Sequence, residues 1–172
     1  MVIGILSDTH GRAGPVRQAI EVFRAAGVGA VFHCGDIGSV EILRELAGFT
    51  KNLWFVWGNT DVTHSGWAEV VADLGLHWPD GPLVVELDGR RIALAHGHEV
   101  RFRLLEQDRS LDYVLSGHTH AKRDFRENGI RFVNPGALHR ASVYTVATLD
   151  LATDELTFHG LQPGPGRHWE RP

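Results

Sequence analysis

One cysteine, Cys34, is all that the chain contains. No intrachain disulfide can form, and a cytoplasmic location is therefore expected. Basic charge is scarce as well. The 172 residues carry a formal net charge of -4, so stable binding to nucleic acid through a basic surface is not expected. No apolar run approaches the ~20 residues of a membrane span. The first apolar stretch, Val2–Leu6, is too short for a signal peptide and has no basic start. Internal repeats, a Gly-x-Ser-x-Gly nucleophile elbow and a Walker loop are all missing. What remains is ordinary for a globular chain: 43% apolar and 22% charged residues, enough for one domain with a sizeable core. We expect that domain over residues 1–161. A Pro- and Gly-rich tail at 162–172 is expected to be flexible.

The order of elements can be read from hydrophobic spacing. Val2–Leu6 reads as a buried strand. Gly14-Pro15 opens a helix running to about residue 26, with Val16, Ile20 and Phe23 on one face and Gly27 ending it. A strand at 30–33 leads into Cys34-Gly35-Asp36. Ser39 is positioned to cap a helix over 40–47. A third strand, 52–57, ends in Gly58-Asn59-Thr60-Asp61. This alternation implies a parallel sheet with right-handed crossovers, whose ligands lie beyond the carboxyl ends of the strands.

Beyond a surface loop at 75–82, hairpin signals take over. They join 83–87 to 91–95 around Asp88-Gly89, 123–126 to 130–133 around Asn128-Gly129, and 143–149 to 155–161 around Thr153-Asp154. A helix is expected over 100–108 and a strand over 111–115. A parallel half followed by an antiparallel half predicts an α/β fold: a four-layer αββα sandwich of two mixed β-sheets flanked by helices.

Histidine is what the chain has in excess, with eleven. Their placement matters more than their number. Asp8, His10, Asp36, Asn59, His96, His118 and His120 each come after an expected strand. In an extended segment residues i and i+2 share a side, so Asp8 and His10 are expected to reach one point, on which the later clusters converge. Each of these groups alone is as well explained by a turn or a satisfied histidine. Together they form an oxygen and nitrogen donor set for divalent metals. Seven donors exceed one tetrahedral site and suit two ions sharing a carboxylate. Such pairs, ~3.5–4 Å apart, activate water and stabilise a leaving oxygen. Gly11, Gly35, Gly58, Gly97 and Gly117 adjoin the donors, where the backbone must turn or approach closely.

The motifs Ser7-Asp8-Thr9-His10-Gly11, Gly35-Asp36, Gly58-Asn59-Thr60-Asp61, His96-Gly97-His98 and Gly117-His118-Thr119-His120 resemble those of the calcineurin-like metallophosphoesterase superfamily. Their order and spacing are similar to its small single-domain prokaryotic phosphodiesterase branch, as is Asn134-Pro135-Gly136. The resemblance covers residues 1–161. It implies that Asp8, His10 and His120 bind one metal, that Asn59, His96 and His118 bind the other, and that Asp36 bridges them. It implies in-line attack on phosphorus by a metal-bridging hydroxide. Manganese is the first expectation for the metal, with Fe, Zn or Ni as alternatives. Many members carry histidine, as a proposed general acid, where this chain has Thr60, and threonine has no suitable pKa for that role. Asn59 and Asp61 are expected in supporting catalytic roles, Asp61 by ordering its loop.

Other residues are read individually. His98 and Arg12 are candidate substrate contacts. His33 and Cys34 read as buried. Trp54, Phe55 and Trp57 read as core, while Trp67 and Trp78 suit either core or a substrate cleft. His64, His77, His139, His159 and His168 have no ligand pattern. The leading expectation is a phosphoesterase acting on a small phosphate ester, a phosphodiester first, without membrane attachment and with a homodimer possible through the last hairpin. The competing expectation is a catalytically silent scaffold of the same fold, for which the retromer subunit is a precedent. A metallo-β-lactamase-like hydrolase is disfavoured, because no Asp-His pair comes after His120.

Overall fold

The computed structural model describes residues 1–62 and 66–162. His64, His168 and the tail expected past residue 162 lie outside the described residues. The chain begins β1 (Val2–Leu6), α1 (Ala13–Ala25), β2 (Ala30–His33), α2 (Val40–Phe49) and β3 (Leu53–Phe55). It continues α3 (Trp67–Asp73), β4 (Leu83–Leu87), β5 (Arg90–Leu94), α4 (Phe102–Leu105) and β6 (Tyr113–Leu115). β7 (Arg123–Glu127), β8 (Ile130–Asn134), β9 (Tyr144–Asp150) and β10 (Glu155–Leu161) complete it.

The strands form two five-stranded sheets, ordered β10-β9-β1-β2-β3 and β4-β5-β6-β8-β7. Both are mixed. In the first, β1, β2 and β3 are parallel, and β9 lies antiparallel to β1. In the second, β5, β6 and β8 are parallel, and only β4 and β7 run against their neighbours. The antiparallel half expected from hairpin signals is corrected by this topology. A hairpin fixes only its own two strands, and the next strand along can enter the sheet in either direction.

Strand alternation sets the layers. Ile3 and Ile5 point between the sheets, where they pack with Phe32, Ile92, Leu94, Leu115 and Leu149. Leu6 points the other way, into the helical layer with Val16, Ile20 and Phe23 of α1 and Ile42, Leu43 and Leu46 of α2. Ser39 caps α2, its hydroxyl accepting from the Glu41 amide. Two helices depart from the expectation. α3 was not anticipated, although Trp67, Val70, Val71 and Leu74 have helical spacing. Over 100–108 the helix shrinks to the single turn of α4, which buries none of its residues completely. Val100 and Leu104 stay 92% and 66% exposed, so little apolar contact offsets the ordering of further turns. No helix of the described residues is long and apolar enough to cross a membrane.

The topology places the carboxyl ends of β1, β2, β3, β5 and β6 together at the seam between the sheets. Gly4 fixes how closely α1 approaches β1 there. A Cβ on Gly4 would meet the Phe23 ring at 2.9 Å. We expect Gly4→Ala to cost about 1–3 kcal/mol in urea denaturation, the usual scale of overpacking. The cost should fall in a Phe23→Leu background; an equal cost in both would contradict the contact.

Candidate metal centre

The loops after the strands do not stay extended. Asp8, His10, Asp36, His118 and His120 all adopt left-handed backbone angles, with φ between 44° and 68°. The two D-x-H and H-x-H pairs therefore converge through tight left-handed turns, not through the side-to-side alternation expected of strands. Left-handed φ is uncommon outside glycine, asparagine and aspartate. Among the described residues the other non-glycine cases are Asp88, Asn128 and Asp154 in hairpin turns, and Arg140. Backbone strain is thus concentrated at the candidate ligands, where it is characteristic of functional sites.

These turns bring the donors together in two overlapping groups. Asp8, His10 and His120 form one, and Asp8, Asp36 and His96 the other, with ligand atoms in each within 4.8 Å. Asp36 Oδ2 lies 3.4 Å from His10 Nε2 and 3.5 Å from His96 Nε2, between the groups. His120 Nε2 is 3.1 Å from Asp8 Oδ1. Asn59 Oδ1 is 3.1 Å from His96 Nε2. His118 is the outlier of the expected seven. Its amide donates to Asp8 Oδ2 at 3.1 Å, but its ring is exposed and packs on His96 with centroids 5.0 Å apart.

Burial and charge act in opposite senses across the cluster. For His10 burial dominates over the pull of Asp36 and Asp8, and its pKa is lowered. For Asp36 burial alone would raise the pKa. The hydrogen bonds from His96 and from the Thr60 amide outweigh it, and the carboxyl is held well below its usual range. For His96 burial is again opposed, by Asp36 and by the Cys34 carbonyl, and its pKa is raised. His96 Nδ1 donates to that carbonyl at 2.7 Å, which leaves Nε2, facing Asp36 and Asn59, as the atom able to ligate.

A ring of braces holds the loops. The Asp61 carboxylate accepts from the amides of Ile37, Gly38 and Gly58 at 3.0, 2.7 and 2.8 Å, the loop-ordering role expected of it. His33 is fully buried, with its pKa pushed down to about 3 by burial. Its Nδ1 accepts from the Gly35 amide, so Nε2 donates to Thr9 Oγ1 at 2.9 Å, tying the first two loops together. Asn134 Nδ2 donates to the Gly117 carbonyl at 2.7 Å. Two glycines permit the close approach. A Cβ on Gly58 would fall 2.1 Å from Asp36 Oδ1, and one on Gly117 would fall 1.9 Å from Ser7 Oγ.

Arg12 and His98 stand exposed at the edge of the cluster. Trp67 and Trp78 pack on Trp57, with centroids 5.5 and 5.0 Å apart. Sequence reasoning missed two residues of this region. Glu99 accepts from the His96 and Gly97 amides at 2.8 and 2.6 Å. An acid directly after His-Gly-His was the available signal. His139 lies against His10, with ring centroids 4.8 Å apart. Nothing in its local sequence marks it.

The donors fit divalent ions. Asp8 Oδ1 and His10 Nε2 are both buried without a hydrogen-bond partner. A buried carboxylate is tolerated when it is paired or ligates a metal. The chemistry of the set, carboxylate, imidazole and carboxamide, matches borderline cations.

Comparison with known proteins agrees with this geometry. Residues 1–154 match the calcineurin-like phosphoesterase superfamily domain. A phosphodiesterase of Methanocaldococcus jannaschii is 32% identical over 160 residues, 90% of this chain and 96% of the relative. The solved structure of an archaeal phosphodiesterase superposes with a TM-score of 0.83 at 30% identity, covering 94% of this chain and all of that one. Vps29 of Entamoeba histolytica, solved with Zn²⁺, shares the fold at a TM-score of 0.69 and 21% identity, over 97% of this chain and 95% of that one.

If a bound cation is the main compensation for the buried charge of Asp8, removing that charge should help the metal-free protein. We expect Asp8→Asn to melt higher than wild type in chelator and to lose most of the rise that Mn²⁺ confers on wild type. A lower melting temperature in chelator with the Mn²⁺ rise intact would contradict the assignment.

Proposed function

The chain belongs to the calcineurin-like phosphoesterase superfamily, and from that premise we propose that it hydrolyses small phosphate esters, diesters above monoesters, at a pair of divalent metal ions. The observation that carries this reading is the orphaned pair Asp8 Oδ1 and His10 Nε2, buried beside Asp36 and His96. The similarity to a named phosphodiesterase along nearly the whole chain supports the choice of diesters.

In this reading Asp8, His10 and His120 hold one ion, and Asn59, His96 and His118 hold the other. Asp36, lying between His10 and His96, would serve both. Manganese is the first candidate, and Fe, Zn or Ni suit the same donors. When bound, the pair supplies a hydroxide nucleophile and neutralises charge developing on the phosphoryl oxygens during in-line displacement.

The chain's own groups do the rest. The Cys34 carbonyl fixes the His96 tautomer. The Thr60 amide orients Asp36 at 2.9 Å. Asn59, exposed at the mouth, is placed to contact a phosphate oxygen as well as an ion. Thr60 supplies no proton near neutral pH, so esters with good leaving groups are favoured. A cytoplasmic location belongs to the same reading, supported by the single buried thiol of Cys34.

The test is turnover of bis(p-nitrophenyl) phosphate against p-nitrophenyl phosphate by Mn²⁺-loaded protein. We expect faster hydrolysis of the diester, and a loss beyond about 100-fold in Asp36→Asn, more than loss of an outer-sphere partner causes. No turnover above buffer by Mn²⁺-loaded wild type would favour the scaffold reading instead, a drift compatible with the shared Vps29 fold.

A further inference from the structure

Three nitrogen-bearing side chains beside His10 are not used by the metal centre. The His139 ring lies 4.8 Å from the His10 ring, and its Nδ1 is buried without a hydrogen-bond partner. Arg140 is its exposed neighbour in sequence, at φ 49°. Arg12 lies two residues beyond His10 at the start of α1, also exposed.

The two arginines differ from most others in the chain. Arg17, Arg24, Arg44, Arg90, Arg91, Arg126 and Arg131 each pair with a carboxylate. Among the described residues the side chains of Arg12 and Arg140 have no such partner, as is also true of Arg101, Arg103, Arg109 and Arg123, but only these two act on His139 beside the centre. Among the described residues Arg140 is also the one left-handed non-glycine residue that is neither a candidate ligand nor part of a hairpin turn. An arginine held there costs free energy with no turn to justify it. After burial, the groups acting most on His139 are Arg12, His10, Arg140 and His120, all of them basic. Asp36 and Asp8 face His10 and His120, so the permanent positive charge around His139 is that of Arg12 and Arg140.

We infer that Arg12, His139 and Arg140 form an anion subsite beside the metal centre, which receives a second phosphoryl group on the substrate. Guanidinium forks match phosphoryl oxygens in charge and in two-point geometry. His139 packs on His10 and brings a ring nitrogen without a hydrogen-bond partner to the group. The substrate class narrows from phosphodiesters in general to diesters bearing a further phosphate on one of their alcohol groups. The inference rests on the phosphodiesterase reading for its substrate, though not for the existence of the subsite.

The test compares two esters that differ by one phosphate: thymidine 5'-(p-nitrophenyl phosphate) and its 3'-phosphorylated form. With Mn²⁺-loaded wild type we expect KM to be lower for the 3'-phosphorylated ester by about tenfold, the scale of one charge-assisted hydrogen bond. Arg140→Asn, which still tolerates left-handed φ, and Arg12→Gln should each bring the KM ratio towards one. Equal KM values in wild type, or variants that raise both values alike, overturn the subsite. If neither ester turns over, the hydrolase reading fails and binding decides the subsite separately. Titrated into the Mn²⁺-loaded protein, thymidine 3',5'-bisphosphate should then bind Arg140→Asn about tenfold more weakly than wild type. Equal affinity would overturn the subsite by that route too.

Discussion

Everything at the seam of this protein depends on burying two carboxylates side by side. Asp8 is wholly inaccessible to solvent and Asp36 nearly so, and both belong to one donor group with His96. An isolated buried carboxylate costs far more than a domain's net stability allows unless something of opposite charge compensates it. Imidazoles and backbone amides compensate Asp36. Asp8 accepts from the His118 amide at one oxygen only, and the other has no hydrogen bond. That oxygen faces His120 Nε2 at 3.1 Å, within a donor group that suits a cation. The rest of the fold reads as its consequence. Parallel strands from two sheets end at one seam, left-handed turns aim the donors inward, and glycines at 58 and 117 let the loops close over them.

The convergence of Asp8, His10, Asp36, His96 and His120 was legible in the sequence because each sits a few residues past an apolar run. Ile3 and Ile5 alternate against Gly4 and Leu6, and such a strand has to deliver its next few residues to a sheet end. The route of convergence was not legible. Asp8 and His10 share a side through φ of 54° and 44° rather than through extension, and their residue types do not announce this. The direction of β8 was hidden for a similar reason. Its hairpin with β7 was plain at Asn128-Gly129, but its parallel pairing with β6 depends on the route of the whole chain. Residues 100–108 misled in the other direction. They contain apolar residues at helical spacing, yet no layer of the fold lies over Val100 or Leu104 to bury them. His139 was invisible because it reaches His10 through tertiary contact alone.

The third loop shows how a sequence departure is absorbed. With threonine at position 60, that position carries no imidazole. Asp61 is nevertheless fully engaged, accepting three backbone amides that belong to the second and third loops. It holds the Asp36 loop where the Thr60 amide can reach Asp36. The loop thus keeps its role in shaping the centre independently of the group at position 60.

The central claim is that Asp8 and Asp36 are buried together in order to hold two ions. Anomalous scattering from crystals grown with Mn²⁺ tests it most directly. Two peaks per chain, ~3.5–4 Å apart as in paired-metal hydrolases, are expected. One should lie against Asp8 and His10, the other against His96 and Asn59, with Asp36 touching both. A single peak, or a pair that leaves Asp36 out of contact, would contradict it.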